Sequence, residues 1–244
     1  MRPASLSTER VVPDAWDHFW DRVTDDQRLL KEDAVECVRS LREVVPLTSA
    51  TRVLDFGCGW GNVARLLAPH VGGLTLWDDA PRMRRLAREA TAGLPNVTLL
   101  DLTPGVDSPG GRFDLILANS VGQFMTADEL RSWLRRWRHL LAADGWLVVS
   151  DLVPPDYPAL ADFLTLFRFS ASRKFLFRAL WDAARVMPLY WRTRSARPLL
   201  RTSRADLTSW GREAGLAAPE FPPNLTCFKQ RITAVYRRAE GGIR

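Results

Sequence analysis

Residues 51–61 read TRVLDFGCGWG and decide the fold of this chain of 244 residues. An apolar run that ends at Asp55 and Phe56 is followed by glycines at positions 57, 59 and 61. Bare backbone at the carboxyl end of a strand lets a ligand approach the amide groups closely. A dinucleotide fingerprint would need a glycine where Asn62 stands, and a Walker loop would need Gly-Lys-Ser/Thr. The stretch therefore predicts a strand, a loop and a helix around another kind of ligand.

Strand-like and helix-like patterns alternate outward from this loop. Apolar strand-like runs occupy residues 52–56, 74–77, 97–100, 113–117 and 146–150, and helical patterns occupy 62–67, 81–90 and 127–141. Continuous apolar strands separated by helices are typical of an α/β fold with a parallel sheet covered on both faces. We expect a Rossmann-like, doubly wound, seven-stranded sheet that is mostly parallel. A helix at 204–214 with Gly215 as its C-cap would precede a terminal strand pair, which includes an antiparallel strand at 231–236.

The same patterns divide the chain into three parts. Two amphipathic helices, at 14–22 and from Asp25 or Asp26 to about Val45, form an N-terminal helical cap over residues 1–50. Residues 51–151 and 204–244 form the Rossmann-like core. Between them, residues 152–203 interrupt the alternation, and we expect a helical lid inserted after the fifth strand. This lid lies over the carboxyl edge of the sheet.

Composition favours an ordinary globular protein with a large core. Hydrophobic residues make up 46% of the chain and charged residues 25%. The three cysteines are too few and too scattered for a disulfide scaffold, which favours a reducing, cytoplasmic setting. Neither a signal-peptide core near the start nor an apolar run of membrane-spanning length is found. The net charge is +6, and the predicted lid is the most basic part of the chain.

A second acidic residue follows the next strand. Asp78 stands seventeen residues beyond Gly61, at the end of the strand formed by residues 74–77. Neighbouring parallel strands end at the same edge of a sheet, so this carboxylate is placed to accept both hydroxyl groups of a ribose. The loop and Asp78 together predict a nucleoside-binding site.

From about Val53 to Asp151 the sequence resembles the class I S-adenosylmethionine-dependent methyltransferases, of the small-molecule type. VLDFGCGWG is similar to their first motif, LTLWDDAPRM to their acidic second-strand end, and FDLILANS and LLAADGWLVVSD to their fourth and fifth strands. The resemblance implies S-adenosylmethionine as cofactor and S-adenosylhomocysteine as product. It places Asp78 at the ribose, Asp101 and Leu102 at the adenine, and Asp55 at the loop or the amino group. The cofactor site implied in this way comprises Asp55, Gly57, Cys58, Gly59, Gly61, Asp78, Asp79, Asp101, Leu102 and Asn119.

The exit of the fourth strand argues against several acceptor classes. Asn119-Ser120-Val121-Gly122 is not the Asn/Asp-Pro-Pro-aromatic motif of enzymes that methylate base or glutamine amino groups, and no cysteine follows a proline. Asn119 also stands where a metal-dependent enzyme would carry an acid, so we expect no metal. A small-molecule acceptor remains, held by an aromatic wall that indicates an apolar body. The expected wall consists of Trp16, Phe19, Trp20, Phe124, Phe163, Phe167 and Tyr190.

Three side chains are candidates for a catalytic role. His18 is placed to act as a general base, although a surface or capping role is equally open to it. Gln123, like Asn119, could orient the acceptor, and Asp151 could take a proton or bind a hydroxyl group. The sequence therefore does not decide whether the nucleophile is an oxygen, nitrogen or carbon atom. We expect it to belong to a hydrophobic, natural-product-like or lipid-like molecule, which could also carry an anionic group.

The basic lid leaves three readings open. First, its aromatic residues could be core and its arginines a solvated face. Second, its arginines could bind an anionic acceptor or a membrane surface through residues 160–200. Third, the lid could bind nucleic acid, which we do not expect. A protein that binds the cofactor without transferring methyl groups is the alternative function. Salt dependence separates these readings, because binding to a polyanion weakens steeply with added salt.

Overall fold

The sheet of the computed structural model has six strands in the part of the chain that the structure describes, which comprises residues 15–23, 28–104, 112–158 and 161–239. The strands are β1 (Arg52–Phe56), β2 (Gly73–Trp77), β3 (Val97–Leu99), β4 (Phe113–Asn119), β5 (Leu141–Leu152) and β6 (Ile232–Tyr236). Their order is β3-β2-β1-β4-β5-β6, with β6 antiparallel to β5 and all other pairs parallel. The predicted α/β, mostly parallel sheet with an antiparallel terminal strand is confirmed.

Helices cover both faces of the sheet. Their bounds are α1 (Ala15–Arg22), α2 (Arg28–Val44), α3 (Asn62–Leu67), α4 (Pro81–Ala90), α5 (Ala127–Leu140), α6 (Ala161–Ser172), α7 (Leu176–Ala196) and α8 (Arg204–Glu213). Alternate residues of a strand point to opposite faces. Val53 accordingly packs in a cluster with Leu41 of α2, whereas its neighbour Leu54 packs in a cluster with Trp137 of α5. The apolar pattern of the strands thus divides the core into two layers.

The carboxyl ends of three strands meet at one edge of the sheet. β1 pairs with β2 on one side and with β4 on the other, and Phe56 lies opposite Trp77. In open α/β sheets, ligands bind in the crevice at the point where the strand order reverses. The residues that follow β1, β2 and β4 are therefore placed around one crevice.

The C-terminal part differs from the prediction of seven strands. Among the described residues between α8 and β6, only isolated bridges appear, from Glu220 to Val235 and from Leu216 to Arg238. Proline lacks the N–H that a strand ladder needs. Pro219, Pro222 and Pro223 flank Glu220 and so limit the pairing to single bridges.

The segment between β5 and α8 contains two helices, α6 and α7, that are joined by a short turn. Val186, Leu189 and Tyr190 of α7 pack against a cluster that contains Trp16 and Phe19 of α1. The predicted cap of the second N-terminal helix, at Asp25 or Asp26, lies outside the described residues. In the described part of the chain, no helix combines the length and the apolar character that crossing a bilayer requires.

Candidate active site

The glycine loop after β1 adopts a backbone conformation that glycine favours. Gly57, Gly59 and Gly61 have φ angles of 76°, 52° and 73°. The amide of Gly57 donates to the carbonyl of Trp77 at 2.7 Å, which ties the loop to the end of β2. A Cβ on Gly57 would overlap Val121, whereas a Cβ on Gly59 would meet no atom of the described residues within 4 Å. Gly59 therefore faces open space in the crevice.

The Asp78 carboxylate is held against this loop. Its Oδ2 accepts from the Gly59 amide at 2.9 Å, and its Oδ1 accepts from the Ala80 amide at 3.0 Å. Burial raises the pKa of Asp78 to about 6, although the two amide hydrogen bonds act in the opposite direction. The side chain predicted to meet the ribose thus lies directly beside the loop, and each oxygen keeps a further lone pair for a ligand hydroxyl.

Asp55 is the most unusual group of the crevice. The residue is only 3% exposed, and its Oδ2 has no hydrogen-bond partner among the described residues. Burial, and secondarily the charge of Asp78, raises the pKa of Asp55 to about 7. A buried polar atom without a partner is costly. A ligand that brings an amine or hydroxyl donor to this oxygen would remove that cost.

The remaining predicted cofactor residues differ in exposure. Asp101 is exposed and pairs with Arg88 at 2.8 Å, and Leu102 is 82% exposed. Asp79 is exposed, whereas Cys58 is buried. The side chain of Asn119 accepts from the Ser150 hydroxyl at 2.6 Å. The structure thus brings Asp55, Asp78 and the glycines together and leaves Asp101 and Leu102 open to solvent.

Five of the seven aromatic residues predicted to form the acceptor wall contact one another. Trp16 contacts Phe124 with ring centroids 4.6 Å apart and the ring planes tilted by 50°, and Tyr190 contacts both Trp16 and Phe19. Trp20 lies edge-on to Trp60 of the glycine loop, at 5.7 Å, and to Phe124, at 5.8 Å. We call Trp16, Phe19, Trp20, Phe124 and Tyr190 the aromatic cluster; it reaches from the cap to the loop.

The other two aromatic residues lie elsewhere. Phe163 and Phe167 of α6 are 50% and 44% exposed, and they make no ring contact with the aromatic cluster. His18 belongs to α1, but its side chain lies outside the described residues. Among the described residues, no ring contact supports a role of Phe163 and Phe167 at the acceptor, and the role of His18 as a base stays a prediction.

Asp151 is enclosed by hydrogen-bond donors. Its Oδ2 accepts from Ser120, Gln123 and Arg231, and its Oδ1 accepts from Asn224 and Thr226, at 2.8 to 3.3 Å. Asp151 and Ser120 both have positive φ angles, of 68° and 58°, which are unusual for residues other than glycine. The predicted catalytic residues Gln123 and Asp151 are therefore neighbours in one buried network, in which Gln123 also accepts from Arg231 at 3.0 Å.

Arg231 was not among the sequence-derived candidates, although it occupies the centre of this network. Its guanidinium contacts Asp151 at 2.8 Å and Asp162 of α6 at 2.9 Å. Burial opposes the charge of Arg231, but the two carboxylates outweigh it and raise the pKa. These contacts join Asp162, in the first turn of α6, to the sheet, and no local spacing in the sequence signals them.

Comparison with known proteins agrees with this geometry. Residues 54–147 match the family model described as a methyltransferase domain. The trans-aconitate 2-methyltransferase of Rhodococcus jostii (strain RHA1) is 33% identical over 140 residues, 57% of this chain and 51% of the relative. That of Streptomyces coelicolor is 32% identical over 174 residues, 68% of this chain and 50% of the relative. The chain spans about half the length of the curated relatives that it matches.

Solved structures show the same fold. A chain of the Haloferax volcanii complex between a methyltransferase activator and a putative methyltransferase has a TM-score of 0.64 at 15% identity, covering 94% of this chain and all of that one. Magnesium protoporphyrin IX methyltransferase of Synechocystis, with bound S-adenosylhomocysteine, has a TM-score of 0.57 at 16% identity, covering 92% and 93%. The domain and fold are those of a methyltransferase. Residues 54–147 thus match a methyltransferase domain, and the predicted Rossmann-like fold of the class I S-adenosylmethionine-dependent methyltransferases is confirmed.

The residues of the crevice fit the cofactor of this family. S-adenosylmethionine carries an amine and two ribose hydroxyl groups, which need acceptors. Asp55 offers a buried oxygen without a partner, and Asp78 offers oxygens beside an open glycine backbone. The hydrogen-bond acceptors of the crevice therefore complement the donors of S-adenosylmethionine.

Proposed function

We propose that this chain transfers a methyl group from S-adenosylmethionine to an oxygen, nitrogen or carbon nucleophile of a hydrophobic small molecule. The unpartnered Oδ2 of Asp55, buried beside the open backbone of Gly59, carries the proposal. A protein that no longer used this crevice would gain stability by replacing that carboxylate with a neutral group. Its presence is best explained by a ligand with a matching donor.

Each part of the cofactor has an assigned partner in this proposal. Asp78 binds the ribose hydroxyl groups, and Asp55 binds the amino group of the methionine part. Asp101 and Leu102, which are exposed in the chain alone, close over the adenine. When bound, S-adenosylmethionine supplies a methyl group on a sulfonium, activated for displacement in line.

The aromatic cluster supplies the acceptor site. Its rings lie between the cap and the glycine loop, so an acceptor there is held close to the cofactor and shielded from water. Two arginines that lie near Tyr190 are already engaged. Arg231 is paired with Asp151 and Asp162, and Arg194 donates to the hydroxyl of Tyr190. This favours an acceptor with an apolar, uncharged body.

The surroundings of Asp151 support a positioning role instead of the role of a base. Five donors point at its two oxygens, and Arg231 stabilises its charge. Asp151 therefore holds Ser120 and Gln123 at the exit of β4, where they can orient the acceptor. A nucleophile that needs no strong base, such as a neutral amine, fits this arrangement best.

A carboxylate acceptor is the second candidate, because the matching relatives are named trans-aconitate 2-methyltransferases. Such an acceptor would need a cation beside the aromatic cluster, and Arg194 there already donates to the Tyr190 hydroxyl. The two candidates separate in one assay. Transfer of labelled methyl groups from S-adenosylmethionine is measured with aromatic amines and phenols in one arm and trans-aconitate in the other.

Methylation of a hydrophobic acceptor supports the proposal, and methylation of trans-aconitate alone supports the second candidate. If the chain binds S-adenosylhomocysteine but methylates neither class, the alternative of a cofactor-binding protein without transfer is favoured. The proposed setting is the cytoplasm, with a small molecule and not nucleic acid as the acceptor.

A further inference from the structure

The outward side of α7 is apolar along its whole length. Phe177 is 90% exposed and Trp181 is 64% exposed, and Leu180 and Trp191 are also exposed. With Ala184 and Pro188, these residues recur at helical spacings of three and four, so they form one stripe along the helix. We call this stripe the α7 solvent face; it comprises Phe177, Leu180, Trp181, Ala184, Pro188 and Trp191.

The opposite side of α7 already has its partner. Thr193 is buried, and Val186, Leu189 and Tyr190 pack against the cluster of α1. The α7 solvent face is therefore not a core face that has been left open. A helix of 21 residues is about 30 Å long, so the exposed stripe is much larger than a single surface side chain.

A row of positive charge runs beside this stripe. Arg178, Arg185 and Arg192 are seven residues apart, which places them on one side of the helix, and all three are exposed. Arg178 pairs with Asp182 at 3.1 Å, whereas neither Arg185 nor Arg192 makes an ion pair with a described residue. Aromatic residues flanked by arginines are the pattern of helices that lie in the interface of an anionic bilayer.

We propose that the α7 solvent face binds the surface of an anionic lipid bilayer. The aromatic side chains enter the boundary between head groups and acyl chains, and the arginine row meets lipid phosphates. Charge favours this occupant over a second copy of the chain, because a second copy would bring the same arginine row and a net charge of +6. Nucleic acid would leave Leu180 and Pro188 without apolar contact.

Sedimentation with lipid vesicles tests this directly. The full chain is mixed with vesicles of phosphatidylcholine alone or with added phosphatidylglycerol, at low and at high salt. We expect binding to the vesicles that contain phosphatidylglycerol, weakened by salt. Phe177→Ser with Trp181→Ser should lower the partition coefficient by about tenfold or more. Arg185→Gln with Arg192→Gln should lower it by about thirtyfold, since each cation near an anionic surface contributes roughly fivefold.

Matched variants control for charge and apolar area. Arg65→Gln with Arg212→Gln removes two exposed charges from α3 and α8, and Val35→Ser with Leu66→Ser removes two exposed apolar side chains from α2 and α3. Both controls should bind vesicles like the unchanged chain. Thermal melting of every variant establishes that the fold is retained.

Three results would overturn the proposal. The first is absence of binding to anionic vesicles, and the second is binding that the α7 variants do not weaken more than the controls do. The third is a dimer in light scattering that Trp181→Ser dissociates, which would assign the face to a second copy. Cofactor binding is independent of this face, so the proposed function and the membrane contact can fail separately.

Discussion

Arg231 Nη1 lies 2.8 Å from Asp151 Oδ2, and both side chains are almost fully buried. The pair joins the start of β6 to the end of β5. Through a second contact, with Asp162, it also joins the sheet to α6. Removal of one member of such a pair leaves a charge in the protein interior without compensation, which is much more costly than loss of an exposed pair.

Arg231→Met is expected to lower the free energy of unfolding by about 3 to 5 kcal/mol. Arg52→Met, which removes the exposed pair with Asp114, should cost at most about 1 kcal/mol. Urea unfolding measures both. Asp151→Asn in the Arg231→Met background should recover part of the loss, because it removes the stranded charge. If Arg231→Met and Arg52→Met lowered the free energy of unfolding equally, the buried network would not hold α6 to the sheet.

Asp55→Asn tests whether the buried carboxylate is kept for a ligand. The pKa of Asp55 is raised from 3.8 to about 7, so between these values the folded chain binds more protons than the unfolded chain. The free energy of unfolding therefore falls as pH rises from about 4 to about 7, by the linkage of proton binding to folding. Asp55→Asn removes this loss, and at about pH 8 the variant without cofactor should be more stable than the unchanged chain by roughly 2 kcal/mol.

Melting temperatures across this pH range check the prediction. The exposed Asp144→Asn is the control and should change little at any pH. Asp55→Asn should at the same time weaken binding of S-adenosylhomocysteine. A variant that is neither stabilised at high pH nor weakened in binding would contradict the assignment of Asp55.

Gly59→Ala separates a binding defect from a folding defect. Gly59 and Gly93 both have positive φ angles, 52° and 86°, and a Cβ on either one would meet no described atom within 4 Å. Alanine at either position should therefore cost a similar amount of stability, about 1 kcal/mol. Only Gly59 lies in the crevice. Calorimetry should show that Gly59→Ala loses at least about tenfold in affinity for S-adenosylhomocysteine, whereas Gly93→Ala keeps it.

Trp20→Ala tests the aromatic cluster as the acceptor site. Trp20 contacts Trp60, Phe19 and Phe124, so its loss opens the cluster between cap and loop. For an acceptor found in the transfer assay, we expect kcat/KM to fall by about tenfold. Phe163→Ala, on the exposed side of α6, should stay within about twofold. Equal losses would move the acceptor site towards α6.

The sequence predicts the crevice better than it predicts the acceptor side. Asp55 lies near the end of β1, the glycines follow β1, and Asp78 follows β2, so their meeting at one sheet edge is a consequence of parallel pairing. The bounds of α3 and α4 are those expected from the pattern. β5 begins at Leu141 instead of Trp146, because Phe113 pairs with Leu141 before a shift in register. Such irregular pairing leaves no periodic signal.

The network around Arg231 is the clearest feature that sequence reasoning does not reach. Its partners Asp162, Asp151 and Gln123 lie 69 to 108 positions before Arg231 in the chain, and only the folded sheet brings them together. Likewise, Phe163 and Tyr190 are both aromatic residues of the predicted lid, yet Phe163 is exposed and Tyr190 packs in the aromatic cluster. Packing in the folded chain decides which side of a helix faces its neighbour; the residue types of the helix alone do not.

Calorimetric titration of the unchanged chain with S-adenosylhomocysteine shows directly whether the crevice binds the cofactor. We expect one molecule bound per chain with a Kd of about 1 to 100 μM, and binding at least about tenfold weaker for Asp78→Asn. Asp79→Asn, one residue further on and exposed, should weaken binding less. Absence of binding by the folded chain, or equal binding by Asp78→Asn and the unchanged chain, would contradict a cofactor site at the ends of β1 and β2.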